Sequence, residues 1–195
     1  MQTTRHIFLV GARASGKTTV GQALARLLDC PWQDTDALLV RSLGMSVADF
    51  VAAEGWPAFR EAESRVLHAL CDAPPAAAHG AGTNPQDDRA AMVISTGGGM
   101  VLRADNRQCM RTAGTVFYLQ APVALMVERL RRDPNVSQRP SLGSSALPVS
   151  LEEEVVAVLR EREPLYREAA HMVLDAGLPP EALASQMREY LQQNS

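Results

Sequence analysis

The chain has 195 residues, 46% of them hydrophobic and 21% charged, with a net charge of −3. This length and balance predict a single domain over 1–195 with a core of its own, and exclude a disordered chain or a polycation built for nucleic acid. Cys30, Cys71 and Cys109 are too few and too scattered for a disulfide framework or a zinc site and suit a reducing cytosol; no apolar run reaches membrane-spanning length or forms a signal-peptide core.

Ile7, Phe8, Leu9 and Val10 form an apolar run of strand length. It leads into Gly11-Ala12-Arg13-Ala14-Ser15-Gly16-Lys17-Thr18-Thr19, which fits the phosphate-loop pattern G-x-x-x-x-G-K-[ST]. Backbone N–H groups of such a loop cradle phosphates, and the Thr18 hydroxyl can ligate Mg²⁺. Lys17 is the only lysine; the other eighteen of nineteen basic residues are arginine. A compact ammonium fits between phosphate oxygens where a wide, planar guanidinium does not. A helix over 19–28, with Val20, Leu24, Leu27 and Leu28 on one face, places the anion at a helix N-terminus.

A short strand over 31–34 ends in Asp34-Thr35-Asp36. Ligands bind beyond the carboxyl ends of strands in open parallel sheets. Two carboxylates there can divide the work, one holding Mg²⁺ through water and the other meeting a substrate hydroxyl. For Asp36 a helix N-cap is the alternative. Helices follow over 37–43, 46–54 and 57–72, and on the last of these Arg60 and Glu63 share a face. They form either a surface ion pair or an arginine clamp for an anionic group, oriented by Glu63. The stretch of about 72–90 is rich in Ala, Pro, Gly and Asn and is expected to be a flexible surface insertion.

A buried strand over 92–95 closes in Thr96-Gly97-Gly98-Gly99, a glycine run that permits close backbone approach to an anion or hydroxyl. The Mg²⁺-binding aspartate that ends this strand in motor ATPases and GTPases is missing; Ser95 is the polar residue there. A helix over 104–112 and a strand over 115–119 come next. Pro122 is placed at the first position of a helix running to about 131. A long loop of about 132–148 contains Arg139-Pro140, and Arg129, Arg131 and Arg132 at its base favour a lid over nucleotide. Ser150 and Glu153 form a capping-box pattern for a helix over 151–170, in which Pro164 predicts a break or kink. A strand over 171–174 and a helix over 180–192 complete the chain. The strand–helix alternation predicts a parallel α/β sheet.

Taken together, these residues resemble shikimate kinase, and in detail its second bacterial isozyme type. The likeness covers about 8–175. It is carried by GARASGKTTVG, the DTD pair, GWPAFREAE, STGGG, Asn106-Arg107, Arg139-Pro140 and REREPLYREAAH. The phosphate loop is shared by many kinases; FRxxE, GGG and RxPLY in this order are far more specific. The resemblance implies a three-layer fold like that of P-loop nucleoside monophosphate kinases, with a central parallel sheet of about five strands flanked by helices, and a mobile lid.

It further implies ATP-dependent phosphorylation of the 3-hydroxyl of shikimate. Gly11 to Thr19 would bind the ATP phosphates, with Lys17 on the β/γ-phosphates and Thr18 on Mg²⁺. Asp34 would bind Mg²⁺ through its waters. Asp36 would contact the reacting hydroxyl as its base. Arg60 and Arg162 would hold the shikimate carboxylate in a pocket shaped by Gly97, Gly98 and Gly99. Arg139 would neutralise the transferring phosphate, and Arg132 would stack on adenine. The expected partners are ATP and shikimate, with no nucleic acid and no membrane, and no apolar stripe demands a second copy, so a cytoplasmic monomer is expected. Three features depart from the family pattern: the longer 72–90 stretch, Ser141 in the lid, and Ala176-Gly177-Leu178-Pro179-Pro180 where an arginine near adenine is common. A gluconate-type kinase fits FRxxE with GGG and RxPLY less well. A catalytically idle sensor fits poorly because Lys17, Asp36 and Arg139 are all retained. A GTPase would need an N-K-x-D motif, which a chain with one lysine already used cannot supply.

Overall fold

The computed structural model describes residues 6–72, 92–133 and 150–194. β1 (His6–Val10) is followed by α1 (Lys17–Leu28), β2 (Trp32–Asp34), α2 (Thr35–Leu43) and α3 (Val47–Asp72). Then come β3 (Val93–Ser95), a 3₁₀ turn (Met100–Leu102), α4 (Ala104–Ala113), β4 (Gly114–Gln120) and α5 (Val123–Arg132). α6 (Leu151–Ala169), β5 (Met172–Asp175) and α7 (Pro180–Gln193) end the described chain.

The strands pair in parallel in the order β2-β3-β1-β4-β5. β1 is central because every residue in it is buried, from His6 to Val10. Strands covered by helices on both faces are buried along their length, and β3 and most of β4 are buried in the same way. From β1 the chain crosses to β2 at one edge, returns through β3 beside β1, and then passes to β4 on the other side. This order opens a crevice beyond the carboxyl end of β1, and the phosphate loop lies there. α1 packs on α7, and α5 on α6, around the main core. A separate small cluster of Leu39, Phe59 and Ala62 joins α2 to α3.

The elements match the sequence expectations closely, with five differences. α1 begins at Lys17, two residues early, because Gly16 takes the left-handed conformation (φ 98°) that ends the loop. α2 begins at Thr35, because Asp34 rather than Asp36 is its N-cap and accepts from the backbone N–H of Asp36 and Ala37. Pro122 caps α5 instead of occupying its first turn. The break expected at Pro164 is absent: α6 runs through it without interruption. Pro164 and Arg160, whose carbonyl loses its helical donor, are both exposed. Ser150 and Glu153 form the full capping box, a motif worth about 1 kcal/mol. The gap between the helices expected over 46–54 and 57–72 is a kink within α3 at Gly55, whose φ of 82° suits glycine. The expected lid, apart from Arg132 and Asp133, and the expected insertion, apart from Asp72, lie outside the described residues.

Candidate active site

The tips of β1, β2 and β3 and helices α1, α2, α3 and α6 surround a cleft of about 920 Å³. At one end is the phosphate loop. Lys17 Nζ donates to the carbonyls of Gly11 and Ala12, both at 2.8 Å, so the ammonium is folded over the loop. The first turn of α1 is tied to the sheet through Ser95, whose Oγ donates to the Lys17 carbonyl at 2.9 Å and accepts from Trp32 Nε1 at 3.0 Å. Ser95 therefore anchors the phosphate-binding helix from the position where other P-loop proteins place a metal-binding aspartate. Arg13 pairs with Asp133 at 3.3 Å, and Arg129 Nη1 donates to the Ala14 carbonyl at 3.0 Å.

Arg132 and Arg129 have different surroundings. Arg132 pairs with Glu128 at 2.7 Å on the exposed side of α5 and does not line the cleft, whereas Arg129 does. Ala176, Leu178 and Pro180 line the same cleft. The sequence places Arg129 only in a basic cluster at the base of the expected lid; its contact with the loop is a result of packing. Arg139 lies outside the described residues.

Asp34 faces two ways. Oδ2 accepts from the Thr18 hydroxyl at 2.9 Å, and Oδ1 caps α2. A hydroxyl and a carboxylate in contact are hard oxygen donors of the kind Mg²⁺ takes, with water and phosphate filling its other positions. Asp36, two residues on, lines the cleft, and its carboxylate rests against Gly97. Gly97 N–H donates to the Thr35 hydroxyl at 2.9 Å, so the middle residue of the DTD motif holds the glycine run in place. That role of Thr35 left no separate mark in the sequence.

At the other end, Arg60 Nη1 meets Glu63 Oε2 at 2.5 Å, and the guanidinium lies over the rings of Trp56 and Phe59 at 5.1 and 5.5 Å. Arg162, 7% exposed, reaches the cleft from α6. Gly99 is needed because a Cβ there would strike the Arg60 guanidinium, and one at Gly97 would strike Asp36. Gly99→Ala is expected to displace Arg60 and raise the acceptor KM about tenfold while the ATP KM stays within twofold, on the scale of one lost charge-assisted hydrogen bond. Steady-state kinetics with each substrate varied in turn checks this.

Burial pushes the Glu63 carboxyl up, Arg60 opposes the shift, and the charge of Asp36 adds to it. A carboxyl raised on folding is stabilising while protonated in both states. That stability is lost as pH climbs from the ordinary glutamate value of 4.5 toward the folded pKa, because the unfolded chain releases its proton first. Glu63→Gln is therefore expected to flatten the decline in Tm across the weakly acidic range. Thermal melts from about pH 4 to pH 7 test it; an unchanged slope would show that folding does not shift the Glu63 carboxyl.

A phosphate cradle at a helix N-terminus, facing a second basic pocket across one carboxylate, defines a P-loop kinase for a small acceptor. The chain belongs to the shikimate kinase family: the family model described as Shikimate kinase matches residues 13–192. It is 50% identical to the Shikimate kinase of Oleidesulfovibrio alaskensis over 95% of this chain and 96% of that protein. It is 45% identical to Shikimate kinase 2 of Syntrophotalea carbinolica over 98% and 99%, in keeping with the second isozyme type. Among solved structures it is similar to the shikimate kinase from Acinetobacter baumannii in complex with shikimate, with a TM-score of 0.80 and 33% identity over 100% of this chain and 96% of that one. These likenesses extend to the parallel sheet and its flanking helices.

Proposed function

We propose that this chain, as one catalytic domain, transfers the γ-phosphoryl group of ATP to the 3-hydroxyl of shikimate with the residues of this cleft. ATP-dependent phosphorylation of shikimate, a step of aromatic amino acid biosynthesis, is the activity of the family to which the chain belongs. The observation that carries the residue assignment is the sharing of one cleft by two anion sites, Lys17 with its loop at one end and Arg60 with Arg162 at the other.

Residues Gly11 to Thr19 receive the triphosphate, and Lys17 exchanges its carbonyl partners for β/γ-phosphate oxygens. Thr18 and Asp34 hold Mg²⁺, which when bound neutralises phosphate charge. Asp36 accepts the proton of the attacking hydroxyl. Arg60 and Arg162 grip the flat carboxylate of shikimate, for which a planar guanidinium is well suited. The close backbone of Gly97, Gly98 and Gly99 sets how near the ring approaches. Arg139 supplies charge to the transferring phosphoryl group, and Arg129 and Arg13 border the nucleotide end. Catalysis is then positioning and charge neutralisation, as phosphoryl transfer requires. Three free cysteines suit a reducing cytoplasm, the compartment that supplies ATP, and among the described residues no helix is long and apolar enough to cross a membrane. One chain supplies every group assigned here, so the proposed chemistry needs no second copy.

A coupled assay of ADP release with MgATP and shikimate, against gluconate and quinate, tests the reading. Turnover that does not depend on shikimate would overturn it. Arg60→Ala is expected to raise the shikimate KM by about 10²-fold with little change in ATP affinity, the scale of a charged hydrogen-bonding partner removed from a partly buried site. A fall in ATP affinity instead would remove Arg60 from the carboxylate clamp.

A further inference from the structure

Tyr166 is completely buried on α6, one helical turn after Arg162. Its hydroxyl donates to the Gly98 carbonyl at 2.6 Å. The Arg162 side chain, four residues earlier on the same buried face of α6, interacts electrostatically with this phenol. Its ring stacks on Tyr118 of β4, centroids 5.1 Å apart and 21° from parallel. Gly98 is the middle of the glycine run, with Asp36 against Gly97 on one side and Arg60 against Gly99 on the other. One phenol thus holds the backbone that bears on both acceptor-facing groups and shares a helix face with the second arginine of the clamp. The ring stack leaves the hydroxyl a single place to be. Burial pushes the phenol far up, so it keeps the proton it gives to Gly98.

We propose that Tyr166 is a positioning residue for acceptor specificity: it fixes the Arg162 guanidinium relative to the Gly97–Gly99 backbone, so that the clamp accepts a carboxylate at one distance from the reacting hydroxyl. This rests on the reading that Arg162 holds the shikimate carboxylate. A core-filling tyrosine would contribute stability alone. A positioning tyrosine controls discrimination between an acceptor with a free carboxylate and one without.

The test compares Tyr166→Phe, which keeps the stacked ring, with Tyr118→Phe, which keeps the stack and does not touch the link. Kinetics are read with shikimate and with its methyl ester, at a temperature where circular dichroism shows both variants folded. Tyr166→Phe is expected to raise the shikimate KM about tenfold, leave the ATP KM within twofold and reduce the preference for shikimate over the ester about tenfold. Tyr118→Phe is expected to change none of these. An unchanged KM and ester preference in Tyr166→Phe, with only a lower Tm, would overturn the proposal. Arg162→Lys is measured in parallel. If it leaves shikimate binding intact, the clamp assignment falls and this inference with it. If Arg162→Lys weakens shikimate binding and Tyr166→Phe does not, only the positioning role falls.

Discussion

Asp36→Asn is expected to lower kcat by about 10³-fold, within the range for a lost general base, while ATP binding stays nearly normal. The substitution keeps shape and removes only the charge and the basicity. The carboxylate of Asp36 lies against Gly97 and next to Glu63, on the acceptor side of the cleft. The nucleotide side does not depend on it. Asp34 caps α2 through the backbone N–H of Asp36, which asparagine retains, and the bond from Thr18 to Asp34 is untouched. Steady-state rates together with calorimetric ATP titration provide the check. A loss under tenfold in kcat would mean that Asp36 orients the hydroxyl without taking its proton.

Lys17→Arg is expected to lower kcat by about 10²–10³-fold despite conserving charge, the scale seen when a preorganised charge-stabilising donor is removed. The Lys17 ammonium packs within 2.8 Å of two backbone carbonyls and 3.4 Å of Ser15 Oγ, a space sized for a compact tetrahedral donor. A guanidinium is longer, planar and directs its N–H groups in a fixed fork. It would either push the loop outward or point away from the β/γ-phosphates. Measuring kcat and the ATP KM decides the matter. Near-normal turnover would show that the single lysine among eighteen arginines reflects composition, with no demand from the site.

Both predictions rest on residues that were visible in the sequence, for a shared reason. The path from β1 through the loop to α1 is contiguous, so an apolar run, two spaced glycines and a lysine determine it locally. Asp34 and Asp36 are likewise placed by the end of one strand. Their separate duties were not settled by spacing; the resemblance divided them, and the fold set Asp34 beside Thr18 and Asp36 beside Gly97. The Arg60 and Glu63 pair was legible from its three-residue spacing, but its burial and the resulting upward shift of Glu63 depend on the packing of α3 against the glycine run.

Other features had no local signal. Pro164 predicts a break or kink, and the chain still forms one helix across it, α6. Arg129 and Arg132 are equivalent members of one basic cluster until α5 is docked beside the loop. Ser95 and Lys17 are 78 positions apart in hydrogen-bond terms, and Tyr166 and Gly98 are 68 apart. The sequence by itself determined the strand–helix alternation, the phosphate loop and the residue types of the clamp, because these depend on neighbours within a few residues. Only the tertiary structure decided the strand order, which arginine lines the cleft beside the phosphate loop, and that Tyr166 bonds the middle of the glycine run. Those depend on how helices are rotated and docked on the sheet, which is set by long-range packing and not by any local pattern.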